Sequence, residues 1–238
     1  SFDALANAVL SDIDPKVRLL AIRLLWESDD TKLIPVIIEM MMEDQEEAVR
    51  AAAANFLGRF VYLGELESIP DTHKISIVRN LLEVLAGEDF PQVKHRALES
   101  LGYSSHPKIP SLIEGALKSG DTLWTSAALC AISHSADDNW AAVVLQHIAN
   151  SEHEIQFEAI RAAGELELTS AVEPLSILLD DETVDPEIRM AAIWSLSQIG
   201  GDLARNTLVG TLEISQDDDE IELIEAALEN LENEIDPQ

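Results

Sequence analysis

Apolar and small residues recur along the chain at offsets of four, seven and eight from a β-branched or aromatic anchor. Val17 leads to Ala21, Leu24 and Leu25, Val49 to Ala53, Phe56 and Leu57, and Val93 to Ala97, Ser100 and Leu101. Trp124 leads to Ala128, Ala131 and Ile132, Ile155 to Ala159, Ala162 and Ala163, and Ile188 to Ala192, Ser195 and Leu196. A seventh anchor, Ile221, is degenerate, with Glu225 where the small residue belongs. These offsets trace one face of a helix, and small residues on it let a second helix come close. An acidic or polar turn precedes most anchors, and a base often follows. The anchors are separated by 32, 44, 31, 31, 33 and 33 residues. A period of that size predicts two short helices per unit, stacked on neighbours of the same kind.

A second marker keeps step with the first. Pro35, Pro110 and Pro174 each lie 14 residues before an anchor and early in an apolar run: Lys32 to Met42, Lys108 to Leu117 and Ala171 to Leu179. Proline is tolerated in a first helical turn, where the N–H has no intrahelical partner. Asp14 and Asp185, each followed by Pro, and Asp217 to Glu220 are expected to cap second helices. The single long spacing predicts an insertion near residues 63–71, as an extended loop or a short extra turn.

Composition narrows the function. Lys+Arg 15 against Asp+Glu 45 in 238 residues gives a formal charge of −30, and 47% of residues are hydrophobic. There is enough apolar material for a core, and Gly 10 with Pro 9 is too little for a linker-like or disordered chain. Nucleic-acid binding draws on clustered Lys and Arg; here no two bases are adjacent, so neither a nucleic-acid partner nor an anionic membrane is expected. One Cys excludes a disulfide framework and a Cys-cluster zinc site within the chain. No apolar run nears the roughly 18 residues of a membrane span, and no leader pattern is visible. A cytoplasmic, soluble chain is the expectation. It begins on Ser1, so a purely architectural domain of a longer chain is one reading.

Asp14-Pro-Lys-Val-Arg and Asp185-Pro-Glu-Ile-Arg-Met-Ala-Ala, each with small and Leu residues downstream, resemble HEAT repeats, and among them the short variety of phycobilisome lyases. The resemblance spans essentially the whole chain, with units four and seven the poorest matches. It implies an all-α fold: a right-handed α-solenoid of about seven repeats in a single domain, with approximate boundaries 1–28, 29–70, 71–104, 105–136, 137–167, 168–200 and 201–236. First helices would lie on the convex side and second helices on the concave side. The family implies a non-catalytic scaffold or adaptor, with a minority of enzymes. The hydroxylase branch holds two irons with several His-Glu pairs, and only His153-Glu154 has that form here. The glycosylase branch needs a cationic concave face, contrary to a charge of −30. A bilin-lyase-like or tetrapyrrole-handling protein acting on a chromophore-bearing partner remains the rival.

No other catalytic, cofactor or metal site is expected. Cys130 stands alone on a repeat helix, and His147 and His153 are six apart rather than at a helical i, i+4 spacing. Binding is expected on the concave face, at offsets +2, +6 and +9. These positions select Arg23, Trp26, Asn55, His95, Glu99, Phe157, Arg161, Met190 and Trp194. Aromatic and Arg residues are enriched at interface hot spots. The reading is a protein or peptide segment held by Trp194, Phe157 and Arg161 as one cluster and by Trp26 with Arg23 as another. Packing of the same side chains between repeats is the alternative. After Arg205 there are acids and no base, which reads as a solubilising cap, as an end that steers a basic partner, or as a mark of a halophilic source. Oligomeric state is not readable.

Overall fold

The computed structural model describes residues 10–87 and 89–235; the opening nine residues of the first expected repeat and Asp236 lie outside them. Among the described residues there are thirteen α-helices and no strand. They are α1 (Pro15–Leu24), α2 (Leu33–Glu43), α3 (Glu47–Glu65), α4 (Asp71–Ala86), α5 (Pro91–Leu101), α6 (Ile109–Leu117) and α7 (Thr122–Ser133), then α8 (Ala141–His147), α9 (His153–Glu165), α10 (Val172–Leu179), α11 (Pro186–Ile199), α12 (Gly201–Ile214) and α13 (Asp218–Ile235). Short 3-10 turns at Asp138–Trp140 and Thr169–Ala171 lead into α8 and α10. No described helix is long and apolar enough to cross a membrane.

The helices form two compact units, one ending at Lys118 and one starting at Ser119. In the first, the anchor-bearing helices α1, α3 and α5 pack in succession, and α2 and α4 pack beside them. In the second, α7, α9, α11 and α13 pack in succession, with α10 against α12. This is the α-solenoid arrangement of two-helix repeats. Pro35, Pro110 and Pro174 lie in the first turns of α2, α6 and α10. Asp14, Asp121 and Asp185 cap α1, α7 and α11 through their carboxylates, and Asp217 accepts from the Glu220 amide at 2.9 Å.

Nearly every predicted inward position is buried, from Ala53, Phe56 and Leu57 to Ala192, Ser195 and Leu196. The exceptions are Leu24, 77% exposed on the last residue of the short helix α1, the half-buried anchors Val17, Trp124 and Ile221, and the exposed Glu225. The long spacing takes another form than an extended loop. Helix α3 runs for 19 residues and α4 for 16, and only Leu66 to Pro70 connects them. That turn closes with Glu67 at φ 57 and bonds from Glu67 N to the Gly64 carbonyl and from Ser68 N to the Leu63 carbonyl. The same left-handed C-terminal motif recurs after α9 at Glu167, φ 50.

Both units use one packing device. Ser100 Oγ donates to the Ala54 carbonyl at 2.8 Å, and Ser195 Oγ donates to the Ile160 carbonyl at 2.7 Å. Each serine faces a glycine of the preceding anchor helix. A Cβ on Gly58 would lie 2.8 Å from Ser100 Oγ, and one on Gly164 would lie 2.9 Å from the Ser195 Cα. The base after the anchor has a role as well. Arg18 pairs bidentately with Asp44, both bonds 2.7 Å, and Arg189 with Glu220 at 2.9 and 2.7 Å; Arg50 pairs with Asp89. Each arginine also donates to a backbone carbonyl, of Asp12, Leu179 and Met41 respectively. Burial would raise the Asp44 carboxyl, but the Arg18 hydrogen bonds, the Glu46 amide and the charges of Arg18 and Arg50 together outweigh it and hold the group below its ordinary value.

Gly164→Ala is expected to cost about 1–3 kcal/mol through overpacking. Gly210→Ala on α12, where an added Cβ meets nothing within 4 Å, is expected to raise stability by up to about 1 kcal/mol. Thermal unfolding of the two variants checks the pair. Asp44→Asn keeps an acceptor for the Glu46 amide and removes the charge facing Arg18. A folded-state pKa below the unfolded one gives stability that is present above the unfolded value and lost as pH falls through the folded value. Asp44→Asn is therefore expected to melt lower than wild type at pH 7, with the gap closing below about pH 4.

Candidate functional site

In the first unit, α1, α3 and α5 each expose one stripe, and a cleft of ≈ 360 Å³ runs across the three. Arg23 of α1, Trp26 in the turn that follows it, Asn55 of α3, and Gln92 and Arg96 of α5 supply its polar and aromatic lining, over a floor that includes Ala51 and Ala52. Trp26 is 42% exposed, with its ring edge-on to the buried Phe56 at 6.0 Å between centroids. None of the ten lining residues is acidic, in a chain with three acids for every base.

His95 and Glu99 are not part of this surface: each is only 8% exposed. Burial pushes the Glu99 carboxyl above its ordinary range, partly offset by the Arg96 guanidinium at 2.6 Å. The reason is helix phase. On α3 and α5 the open stripe includes offsets −1 and +3, so Gln92 and Arg96 take the places expected of His95 and Glu99. Offset +9 is buried in units two to five, at Gly58, Gly102, Ser133 and Gly164, and at Gly58 and Gly164 it serves the close approach of the next helix. Gln92 and Arg96 went unselected because a rotation of half a residue moves a whole stripe.

In the second unit the expected cluster resolves into separate contacts. The Arg161 guanidinium lies 5.6 Å over the Trp194 ring, a cation–π arrangement. Trp194 also lies across Gly164, where a Cβ would come 2.8 Å from its Cζ3. Phe157 stacks on His153, with centroids 6.4 Å apart and planes 11° from parallel. Met190 instead lines a cleft of ≈ 420 Å³ with Arg189, Ile214, Asp217 and Glu220.

One group escaped the sequence altogether. His153 Nε2 lies 3.5 Å from Asp185 Oδ1 and 3.5 Å from Glu187 Oε2. These residues are 32 and 34 apart, about one repeat. Residues just ahead of successive anchors meet because the repeats stack in register, and comparing those positions pairwise is the signal that would have found them.

The fold defines an α-solenoid protein. The sequence profile of HEAT repeats matches residues 2–71 and 141–232, which is more than half of the chain, and the chain belongs to the HEAT-repeat family. Among solved structures it is similar to the complex of CpcE and CpcF of phycocyanin lyase from Nostoc sp. PCC7120. The TM-score is 0.60 at 19% identity, covering 96% of this chain and 94% of that one. It is also similar to the YibA protein of E. coli, with TM-score 0.50, 19% identity and coverage of 98% and 82%. A third likeness is to Kap121p bound to Pho4p, with TM-score 0.51 and 12% identity, covering 94% of this chain and 32% of that one. At such identities the likeness is one of fold. No curated protein matches the sequence.

Trp194→Ala is expected to lower stability by about 2 kcal/mol, since it opens a void over Gly164. Trp26→Ala, at a position 42% exposed that covers no glycine, is expected to cost less, about 1 kcal/mol. Chemical denaturation of both variants reads the difference.

Proposed function

We propose that the chain is a non-catalytic scaffold or adaptor that holds a protein segment against the cleft of α1, α3 and α5. One observation carries this reading: an open surface with an exposed Trp, two Arg and two side-chain amides, and no acid, in a strongly acidic chain. A solvated face of this protein would be covered in Glu and Asp. Trp26 offers a flat apolar contact, Asn55 and Gln92 can bond the backbone of an extended segment, and Arg23 and Arg96 can engage carboxylate or carbonyl oxygens. The negative field of the rest of the chain would speed encounter with a partner whose flanks are basic. In the second unit, taken by itself, Arg161 and Trp194 offer a separate contact in this proposal; Phe157 instead stacks on His153, and Met190 belongs to the other cleft.

The test is selection of random twelve-residue peptides on the wild-type chain, followed by titration of the winners. Selected peptides are expected to lose at least tenfold in affinity for Trp26→Ala and for Arg23→Glu, while both variants keep the wild-type circular dichroism. Winners that bind both variants as well as wild type would overturn the assignment of the cleft.

The second reading is a tetrapyrrole-handling, lyase-like role. It is favoured by the fold likeness to one chain of the CpcE and CpcF complex, which covers 96% of this chain and 94% of that one. Adding biliverdin and following its visible absorbance separates the two: a saturable band shift supports the second reading, and an unchanged spectrum removes it.

A further inference from the structure

We infer that His153, Asp185 and Glu187 form a binding site for a divalent transition-metal ion of the Zn²⁺ type, joining the starts of α9 and α11. The donor atoms lie on two consecutive anchor helices, and all three are within 4.8 Å of one another. A metal with nitrogen and oxygen ligands at about 2.0–2.2 Å requires tetrahedral ligand atoms to be about 3.4 Å apart. The two distances from His153 Nε2, both 3.5 Å, meet that requirement with almost no movement.

Two contacts hold the ligands in place. Phe157, one turn along α9, stacks on the imidazole and fixes its plane. Asp185 caps α11, its Oδ1 accepting from the Glu187 amide at 2.9 Å, so one carboxylate is already oriented. The side chains are 41%, 56% and 65% exposed, which leaves the remaining coordination positions to water or to a ligand atom of a partner. An imidazole nitrogen with two carboxylates favours Zn²⁺ and its first-row neighbours over Ca²⁺ or Mg²⁺, which take oxygen ligands.

Charge decides in favour of a cation here. Both helix N-termini present positive ends, which oppose one. Against them, the unit from Ser119 onward carries 26 of the acids and only three of the bases, Arg161, Arg189 and Arg205. Arg189 is engaged by Glu220, and Arg161 by Glu165 and Trp194. The alternative is a charged His153 held by the two carboxylates, which needs no metal and defines the opposing outcome.

Titrating the whole chain with Zn²⁺ by calorimetry, and with Co²⁺ by visible absorption, tests the site. His153→Gln and the double variant Asp185→Asn, Glu187→Gln are the comparisons; Asn caps a helix about as well as Asp, so α11 keeps its start. One saturable Zn²⁺ site is expected, weakened at least tenfold in each variant. Co²⁺ should give ligand-field bands that His153→Gln abolishes, and Zn²⁺ should raise the melting temperature of wild type but not of His153→Gln. Zn²⁺ binding that His153→Gln leaves unchanged would mark adsorption to the acidic surface and overturn the site, as would the lack of any saturable binding. If the double variant unfolds, His153→Gln, altered at one half-exposed side chain, decides alone.

Discussion

In each unit, one pair of successive anchor helices lies side by side at a point where one of them has no side chain. Gly58 and Gly164 each receive a serine from the following helix, and that serine bonds a backbone carbonyl one turn earlier. The bond satisfies a hydroxyl that would otherwise be buried at a cost of a few kcal/mol. It also fixes the helices along their axes as well as across them. Apolar burial supplies most of the driving force but is indifferent to a slide of one turn. The serine and glycine are not, and the same pair at the same offsets in both units makes this the element that sets the register.

The charged residues divide into two populations. Most acids are solvated, whereas Asp44, Asp89 and Glu220 have side chains under 10% exposed and face arginines. Isolated surface pairs contribute little; these are bidentate or backbone-supported, and they tie α1, α3 and α11 to the start of the next anchor helix. The base after the anchor is thus a structural part of the repeat. Three of the nine arginines are committed to this task, which leaves few for binding and gives weight to where the remaining ones stand.

The repeat, its period, its capping aspartates and its early prolines were legible because each rests on local chemistry repeated several times. The inward positions followed from offsets alone, and Ala128, Ala159 and Ala192 are fully buried as expected. The binding surface was less legible. Trp26, Arg23 and Asn55 line the cleft, yet His95 and Glu99 turned inward, since burial changes sharply over half a residue of rotation while a periodic pattern constrains phase only to about that precision. Trp194 shows a further limit: an aromatic residue in a groove-facing register can also be the lid on a neighbour's glycine. The meeting of His153 with Asp185 and Glu187 was hidden because its members belong to different repeats.

Helix α3 exceeds α5 by eight residues, or about 12 Å of axis. Its extra turns carry Tyr62, which meets Tyr103 edge-on at 5.6 Å, and Glu65, which accepts bonds from Ser105. Growth of one repeat is therefore absorbed at a rod's end, where neighbours make improvised contacts, and not at the flank where the spacing is kept. A scaffold built this way can lengthen individual members over evolutionary time without renegotiating the alignment of the rest.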